Sequence, residues 1–150
     1  MKIFENYLDE NKNCHLECVK EVEWDKKCNS PLDIAGMLNT VFKASQLAEE
    51  HAWLICLTNS GAVNGLFELA KGTVSMSVVG IREIYIRALL CGAAGVVIAH
   101  NHPSGKLDPS KEDRALYRRL KECGELLQMP LEDFLIVSSG GYCSFMEKEF

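Results

Sequence analysis

The chain has 150 residues, of which 47% are apolar and 25% are charged, and its formal net charge is −5. This length fits one domain with a sizeable core, and the composition is typical of a soluble globular protein. The acidic balance disfavours a broad electrostatic grip on nucleic acid, which usually comes from a clustered basic face, but it does not exclude a small basic groove.

The first residues, MKIFENYLDENKNCHLE, are polar and acidic and lack the apolar core of a secretory signal. The longest apolar runs, such as WLICL and VVIA, are far shorter than the ~20 residues that a membrane span requires. We therefore expect a cytoplasmic protein that does not associate with membranes. Residues 1–14 are predicted to be an N-terminal tail, mobile or with a short first helix, and residues 15–150 to form one domain.

The segment HLECVKEVE, residues 15–23, alternates well enough to predict an edge strand. Near it lies a cluster that is similar to half of a zinc ribbon: Cys14, His15, Cys18, Cys28. The second ligand pair is missing, so we interpret these residues as strand and loop positions, with a structural zinc as the alternative. The seven cysteines are scattered and odd in number, which disfavours a disulfide framework in a reducing compartment.

The segment NSPLDIAGMLNTVFKASQLAEEH opens with Asn29, Ser30 and Pro31, the residue types that begin a helix. Its apolar residues mostly follow helical spacing: Ile34, Met37, Leu38, Val41, Phe42, Leu47. AWLICLT then predicts a strand buried on both faces, and a turn at NSG joins it to a second strand, AVNGLFELA. GTVSMSV predicts a third, partly exposed strand.

The segment REIYIRALLCGA predicts a helix that packs broadly through its apolar residues: Ile84, Ile86, Ala88, Leu89, Leu90. GVVIA predicts a short, fully buried strand that ends where two histidines begin. SKEDRALYRRLKECGELLQM predicts an amphipathic helix with Glu112 and Asp113 in its first turn, where the helix dipole favours acidic residues. DFLIVSS, the turn GG and YCSF predict a last hairpin. Together these elements predict an α/β domain with a mixed sheet and helices on its faces.

The stretch IAHNHPSGKLDPSKEDRA, residues 98–115, carries the strongest chemical signal. In an extended segment His100 and His102 point to the same side, and Asp113 projects from the first turn of the next helix. Two imidazoles and one carboxylate leave a fourth position open, which is the pattern of a catalytic rather than a structural zinc site. The pair His-x-His alone is as readily explained as polar surface. The spacing His-x-His-x(7)-Ser-x(2)-Asp, which adds Ser110 and Asp113, favours the metal.

That spacing matches the JAMM motif of the JAB/MPN metallo-hydrolases residue by residue. HNHPSG with PSKED resembles the RadC-like branch in particular, and GTVSMSVVGIREIYIRAL and LEDFLIVSSGGYCSF are similar to that branch as well. The resemblance covers roughly residues 15–146. It implies the three-layer α+β fold of JAB/MPN domains, which is cytidine-deaminase-like. The helix-hairpin-helix region of longer RadC proteins has no counterpart, so the chain resembles the short stand-alone form.

The resemblance also implies the roles of the site residues. Zn²⁺ would lower the pKa of its bound water toward ~7, and its ligands would be His100, His102 and Asp113. Glu50, directly before the buried strand, is the best match to the family's catalytic glutamate, which takes the water's proton and passes it to the leaving amine. Glu49 would face the other way and is interpreted as a solvated carboxylate. Ser110 would steady the oxyanion or cap the next helix, and the resemblance favours the first role.

Four further residues allow weaker interpretations. Asn101 and Ser104 lie between or beside the ligands and are interpreted either as lining a substrate cleft or as turn residues. Arg82 either contacts the site region, as the resemblance hints, or forms an ordinary surface ion pair. Phe134 stands where the family often has a histidine, which affects details of the site but not the metal.

The leading hypothesis is a zinc metallopeptidase or isopeptidase of the JAMM type, acting on a protein or peptide that the sequence does not identify. The alternative is a DNA-repair-associated accessory or DNA-binding protein with a non-catalytic zinc site, since RadC-like proteins carry a DNA-repair label. Its basic face would have to come from one helix: Arg114, Arg118, Arg119, Lys121. A nucleotide deaminase is excluded because HxE with a downstream PCxxC is missing. An exposed edge strand is compatible with a homodimer.

Overall fold

The computed structural model describes residues 1–72 and 79–150 of the chain. Its strands are Lys2–Leu8 (β1), Cys14–Glu21 (β2), His51–Leu57 (β3), Val63–Lys71 (β4), Gly95–Asn101 (β5), Leu131–Ser138 (β6) and Gly141–Ser144 (β7). Its helices are Pro31–Phe42 (α1), Ile81–Leu90 (α2) and Lys111–Leu127 (α3), with a 3-10 turn at Ala44–Gln46. Apart from Gly72, the predicted strand GTVSMSV lies outside the described residues. Within the described ranges, every helix is too short or too polar to cross a membrane.

The strands form one mixed sheet in the order β2-β1-β4-β3-β5-β6-β7. The pairs β1–β4 and β5–β6 are parallel, and the other neighbours are antiparallel. The predicted hairpins β3–β4 and β6–β7 are confirmed, and β2 lies at one edge of the sheet, as its alternation indicated. The predicted mixed α/β fold is confirmed.

Helices cover both faces of the sheet and so create three layers. Helices α2 and α3 pack on one face, against alternate residues of the central strands: Ala52, Leu54, Cys56, Val96, Ile98. Helix α1 packs on the other face, against the residues between them: Trp53, Ile55, Leu57, Val97, Ala99. Because both faces of β3 and β5 are buried, these strands are continuous apolar runs rather than alternating ones.

Two helices differ from their predictions. Helix α1 begins as expected, with Ser30 as N-cap and Pro31 in the first turn, but it ends at Phe42 because Lys43 adopts a left-handed conformation with φ 54°. The helical spacing had suggested a longer element. Helix α2 does not pack broadly, since Leu89 and Leu90 remain 55% and 44% exposed. Its buried side chains lie on one stripe: Ile84, Tyr85, Ala88.

The prediction of a mobile tail or short helix at the start of the chain is wrong. Residues 2–8 form β1, which lies inside the sheet between β2 and β4. The amino group of Met1 donates a hydrogen bond to the Val22 carbonyl (2.9 Å), so even the first residue is tied to the sheet. Only the start of β1 is covered: Ile3 belongs to one core and Phe4 packs on the other, while Tyr7 and Leu8 are exposed.

Candidate metal centre

Strand β5 presents both histidines at its end. His100 lies inside the strand and is 2% exposed, while His102 follows one residue after the strand. The backbone N–H of His102 donates to the Val137 carbonyl of β6 (2.9 Å), which extends the pairing and keeps this residue in register. Side chains two residues apart share a face, and the two imidazole rings accordingly lie edge to face with centroids 4.8 Å apart.

Helix α3 brings Asp113 to the same place. Ser110 is the N-cap, and its Oγ accepts a hydrogen bond from the Asp113 N–H (3.0 Å). In return the Asp113 Oδ2 accepts from the Ser110 N–H (2.8 Å), which completes a capping box. The carboxylate is therefore held by the first turn of its own helix, and it is 2% exposed.

The three side chains are close enough to share one ion. His100 Nε2 lies 3.2 Å from Asp113 Oδ1, and His102 Nε2 lies 4.0 Å from Asp113 Oδ2. One ligand atom from each residue falls within 4.8 Å of the others. Tetrahedral zinc with ligand distances near 2.0–2.1 Å places its ligand atoms roughly 3.3 Å apart. The pair of His100 and Asp113 meets that spacing, and the distance from His102 to Asp113 is longer than it by less than about 1 Å.

The surroundings of the two histidine rings are compatible with a bound cation. His102 Nδ1 lies 3.0 Å from the Lys106 carbonyl, which only accepts, so Nδ1 carries the proton and Nε2 keeps its lone pair. His100 is buried, and within the described residues Nδ1 has no partner while Nε2 faces Asp113 Oδ1 at 3.2 Å without the geometry of a hydrogen bond. Buried polar atoms without partners are rare and costly. A metal ion bound at Nε2 would satisfy one of them.

The charge of Asp113 is secured by its neighbours. Burial alone would raise the pKa of this carboxyl, but the contact with His100 and the hydrogen bonds to Ser110 outweigh it and hold the pKa well below the usual range. The carboxylate is therefore ionised at any pH at which a histidine is neutral, which is the state that metal binding requires.

The loop between the ligands is shaped by Gly105, whose φ is +80°. Its N–H donates to the His102 carbonyl (3.1 Å), and its own carbonyl accepts from the Ser138 hydroxyl at the end of β6 (3.0 Å). A side chain is strained at this φ, so glycine is the residue that allows this tight turn.

Glu50 lies directly before β3, two residues from the last residue of that strand that pairs with β5. Strands β3 and β5 pair with Leu57 opposite Gly95 and Ala52 opposite His100. Continued by two residues, this register sets Glu50 opposite His102, on the face that Ala52 and His100 share. The Glu50 carbonyl accepts from the Gly72 N–H (2.9 Å), which ties this position to the end of β4. The catalytic role of Glu50 stays a prediction. Glu49 is its neighbour, and successive side chains of an extended segment point to opposite faces.

The other residues singled out in the sequence lie elsewhere or make other contacts. The Arg82 side chain is 80% exposed and pairs with its neighbour Glu83 at 3.2 Å, so it forms an ordinary surface ion pair. Ser104 is exposed in the loop. Phe134, buried in β6, packs its ring edge-on against His100 with centroids 5.6 Å apart.

Cys14 and Cys18 lie on β2 and are exposed, four residues and hence ~13 Å apart along the strand. Cys28 is buried, and that burial, with the nearby Asp33, raises its pKa to about 11, which disfavours the thiolate that binds zinc. His15 pairs with Glu17 at 2.9 Å. Among the described residues, the group that could hold a metal consists of His100, His102 and Asp113.

The basic residues of α3 are partly engaged with aromatic rings. The Arg114 guanidinium lies 4.1 Å from the centre of the Phe150 ring, and the Lys121 ammonium lies 5.9 Å from that of Tyr117. Such cation–π contacts are typical of side chains that pack on their own protein. Arg118 and Arg119 are exposed on the helix. This arrangement offers no specific support for a nucleic-acid surface.

One residue of the site was interpreted wrongly from the sequence. Asn101 neither lines a cleft nor forms a turn: it is the last residue of β5, is 1% exposed, and bonds through its side chain to the chain on both sides of Glu50. Its partners lie about fifty positions earlier in the sequence, so local spacing contains no signal for them.

Comparison with known proteins shows which proteins this chain is similar to. A family model described as a RadC-like JAB domain matches residues 28–150. The chain is 38% identical over 131 residues to a UPF0758 protein of Clostridium botulinum. It is 35% identical over 124 residues to one of Staphylococcus haemolyticus and 32% over 123 residues to one of Flavobacterium johnsoniae.

These alignments cover 87%, 83% and 82% of this chain, and 56%, 54% and 53% of the three relatives. The chain therefore spans about half the length of the curated relatives it matches.

Proposed function

The chain belongs to the RadC-like JAB domain family, and on that premise we propose that it is a zinc-dependent hydrolase of amide or isopeptide bonds. Its proposed substrate is a protein or peptide. The resemblance that His100, His102, Ser110 and Asp113 indicated is thereby confirmed at the level of the family. The names of the relatives state no activity, so the reaction is argued from the site alone.

The observation that carries the proposal is the convergence of His100, His102 and Asp113 on one point, with the buried His100 nitrogens lacking other partners. These three residues would hold the ion and leave one position of a four-coordinate zinc for another ligand, and His102 is the most exposed of the three side chains. Zinc in such a site supplies Lewis acidity toward a water molecule and a carbonyl oxygen.

Glu50 is proposed to move the proton. Its carboxylate would take a proton from the attacking water and deliver it to the leaving amine nitrogen, so that the amine departs neutral. The register beside His102 supports this role, since the water and the carboxylate must lie within hydrogen-bond reach of each other.

Ser110 is proposed to stabilise the oxyanion. Its Oγ already accepts the Asp113 N–H, and within the described residues its hydroxyl proton has no acceptor. A serine hydroxyl donates once and accepts more than once, so the capping role and a hydrogen bond to a developing oxyanion do not compete. Ser110 is also an exposed residue, which is compatible with an approach of the substrate.

The test compares two neighbouring carboxylates. Zinc-loaded wild type, Glu50→Gln and the matched control Glu49→Gln are assayed on a panel of fluorogenic peptides and isopeptide-linked conjugates. We expect Glu50→Gln to lower kcat by about 10²–10⁴-fold with its zinc content unchanged, and Glu49→Gln to stay within about twofold of wild type. Equal activity of Glu50→Gln and wild type, or no zinc-dependent cleavage of any substrate by wild type, would contradict the proposal.

A further inference from the structure

The side chain of Asn101 bridges the two peptide units that flank Glu50. Its Oδ1 accepts a hydrogen bond from the His51 N–H (2.6 Å), and its Nδ2 donates to the Glu49 carbonyl (3.0 Å). The chemistry of the two partners fixes the orientation of the amide, because an N–H can only donate and a carbonyl can only accept. Residue 50 therefore lies between the two bonds.

This bridge continues the sheet where its backbone pairing stops. The ladder between β3 and β5 ends at Ala52 opposite His100. One residue further, the Asn101 carboxamide takes the place of a neighbouring strand, with one donor and one acceptor directed at the residues on either side of Glu50. On its other side the Glu50 carbonyl accepts from the Gly72 N–H (2.9 Å). The backbone at Glu50 is thus held from both directions.

The bridge starts from a buried side chain close to the metal ligands. Asn101 is 1% exposed, so its carboxamide is shielded from water and its two hydrogen bonds are partly buried. It stands between His100 and His102 in the sequence and has the opposite parity, so its side chain leaves the ligand face and reaches β3 instead. The end of β5 therefore fixes the positions of the imidazoles and, through Asn101, the position of the backbone at the residue proposed as general base.

We propose that Asn101 is the positioning residue for the Glu50 carboxylate: by clamping residues 49 and 51 it sets the distance between that carboxylate and the metal-ligand face. This inference rests on the proposed function. It assigns Asn101 no contact with substrate, and its effect on the reaction passes through Glu50 alone. A misplacement of a reacting group by about 1 Å is enough to lower a rate by ~10²-fold.

The first readout does not depend on activity. Amide exchange is measured by NMR in wild type, Asn101→Ala and the matched control Asn64→Ala, which loses side-chain bonds to the Cys91 and Gly92 carbonyls far from the site. We expect the His51 amide to exchange at least tenfold faster in Asn101→Ala only, with the Ala52 amide still protected. Unchanged His51 exchange in Asn101→Ala would overturn the inference.

The second readout is a double-mutant cycle on kcat with zinc content verified for each variant. Asn101→Ala is expected to lower kcat about 10–100-fold with KM little changed, and to have no further effect in the Glu50→Gln background. Asn101→Ser, which is too short to span both partners, is expected to behave the same way and serves if the alanine variant fails to fold.

Two outcomes separate this inference from the proposed function. If wild type cleaves its substrate but the losses from Asn101→Ala and Glu50→Gln multiply, the positioning role is overturned and the hydrolase remains. If wild type cleaves nothing in the presence of zinc, the proposed function is overturned and the catalytic part of this inference with it, whatever the His51 exchange shows about the bridge.

Discussion

Ser110 caps α3 and is proposed to stabilise the oxyanion as well, and a second serine of the chain has only the capping role. Ser30 caps α1 as Ser110 caps α3: its Oγ accepts from the Asp33 N–H at 3.2 Å. Ser30 lies at the start of a helix on the opposite face of the sheet from α3. A comparison of substitutions at Ser30 and Ser110 therefore separates the loss of a helix cap from the loss of a catalytic hydroxyl.

We expect Ser110→Ala and Ser30→Ala each to lower the free energy of unfolding by about 1 kcal/mol, because each removes an N-cap. Only Ser110→Ala should also lower kcat, by about 10²-fold, since it removes the proposed oxyanion donor. Urea denaturation and steady-state kinetics on the four proteins (wild type, each single variant and the double variant) measure both effects. A Ser110→Ala enzyme with wild-type kcat would restrict this residue to capping.

Asp133 is a buried carboxyl at the other end of the sheet. Burial raises its pKa, although its Oδ1 accepts from the backbone N–H groups of Phe134 (2.7 Å) and Met146 (3.2 Å). Among the described residues its Oδ2 has no hydrogen-bond partner. A carboxyl with a raised pKa in the folded state stabilises the fold below its unfolded pKa, and this contribution is lost as the pH rises through the folded pKa.

The stability of Asp133→Asn relative to wild type is therefore expected to increase between pH 4 and pH 7. Urea unfolding of both proteins with a chelator present measures this difference without metal. Asp9→Asn is the control that should stay constant over this range: hydrogen bonds from the Asn13 and Asn11 N–H groups lower the pKa of that exposed carboxyl, so its contribution changes only below about pH 4. A constant difference between Asp133→Asn and wild type across this pH range would show that the Asp133 carboxyl is not perturbed.

At the scale of elements, β1 gives the clearest test of the fold. If residues 2–8 were a tail, no substitution there would change stability. Because β1 lies inside the sheet, Ile3→Ala is expected to lower the free energy of unfolding by about 2 kcal/mol, since this side chain is 8% exposed. Leu8→Ala, on the same strand but 57% exposed, should change it by less than about 0.5 kcal/mol. Equal effects of the two substitutions would contradict the placement of β1.

The elements that could be predicted from the sequence are those with local signals. Strands β3 and β5 are continuous apolar runs, α3 has a capping box and an amphipathic period, and Ser30 with Pro31 marks the start of α1. Strand β1 could not be predicted, because its apolar residues fall in two adjacent pairs rather than alternating, and because it pairs with β4, some sixty residues later. The end of α1 was missed because Lys43 is a non-glycine residue in a left-handed conformation.

The same distinction applies to the site. His100, His102 and Asp113 lie within fourteen positions of one another, and their spacing alone predicted that they converge. Asn101 lies among them, but its function depends on residues 49 and 51, which only the pairing of β3 with β5 brings near. Long-range partners of this kind leave no pattern in a single sequence.

At the scale of the whole molecule, the centre lies where the layers meet. Strand β5 and the residue after it supply the two imidazoles from the middle of the sheet, α3 supplies the carboxylate from one outer layer, and the segment before β3 carries Glu50, the proposed general base. A metal ion here would link the sheet to α3, so binding and folding should be coupled. The matched chain covers about half of its relatives, and the activity of a longer relative can include parts that this chain does not span.

The measurement that tests the central claim most directly is elemental analysis of purified wild type, His102→Ala and His15→Ala. His15 is a control histidine on β2 that pairs with Glu17. We predict about one zinc per chain in wild type and His15→Ala, and none in His102→Ala, whose folding circular dichroism would verify. No metal in wild type after incubation with zinc, or equal zinc in all three proteins, would contradict the metal centre. One equivalent of another metal would support the metal centre but contradict its assignment to zinc.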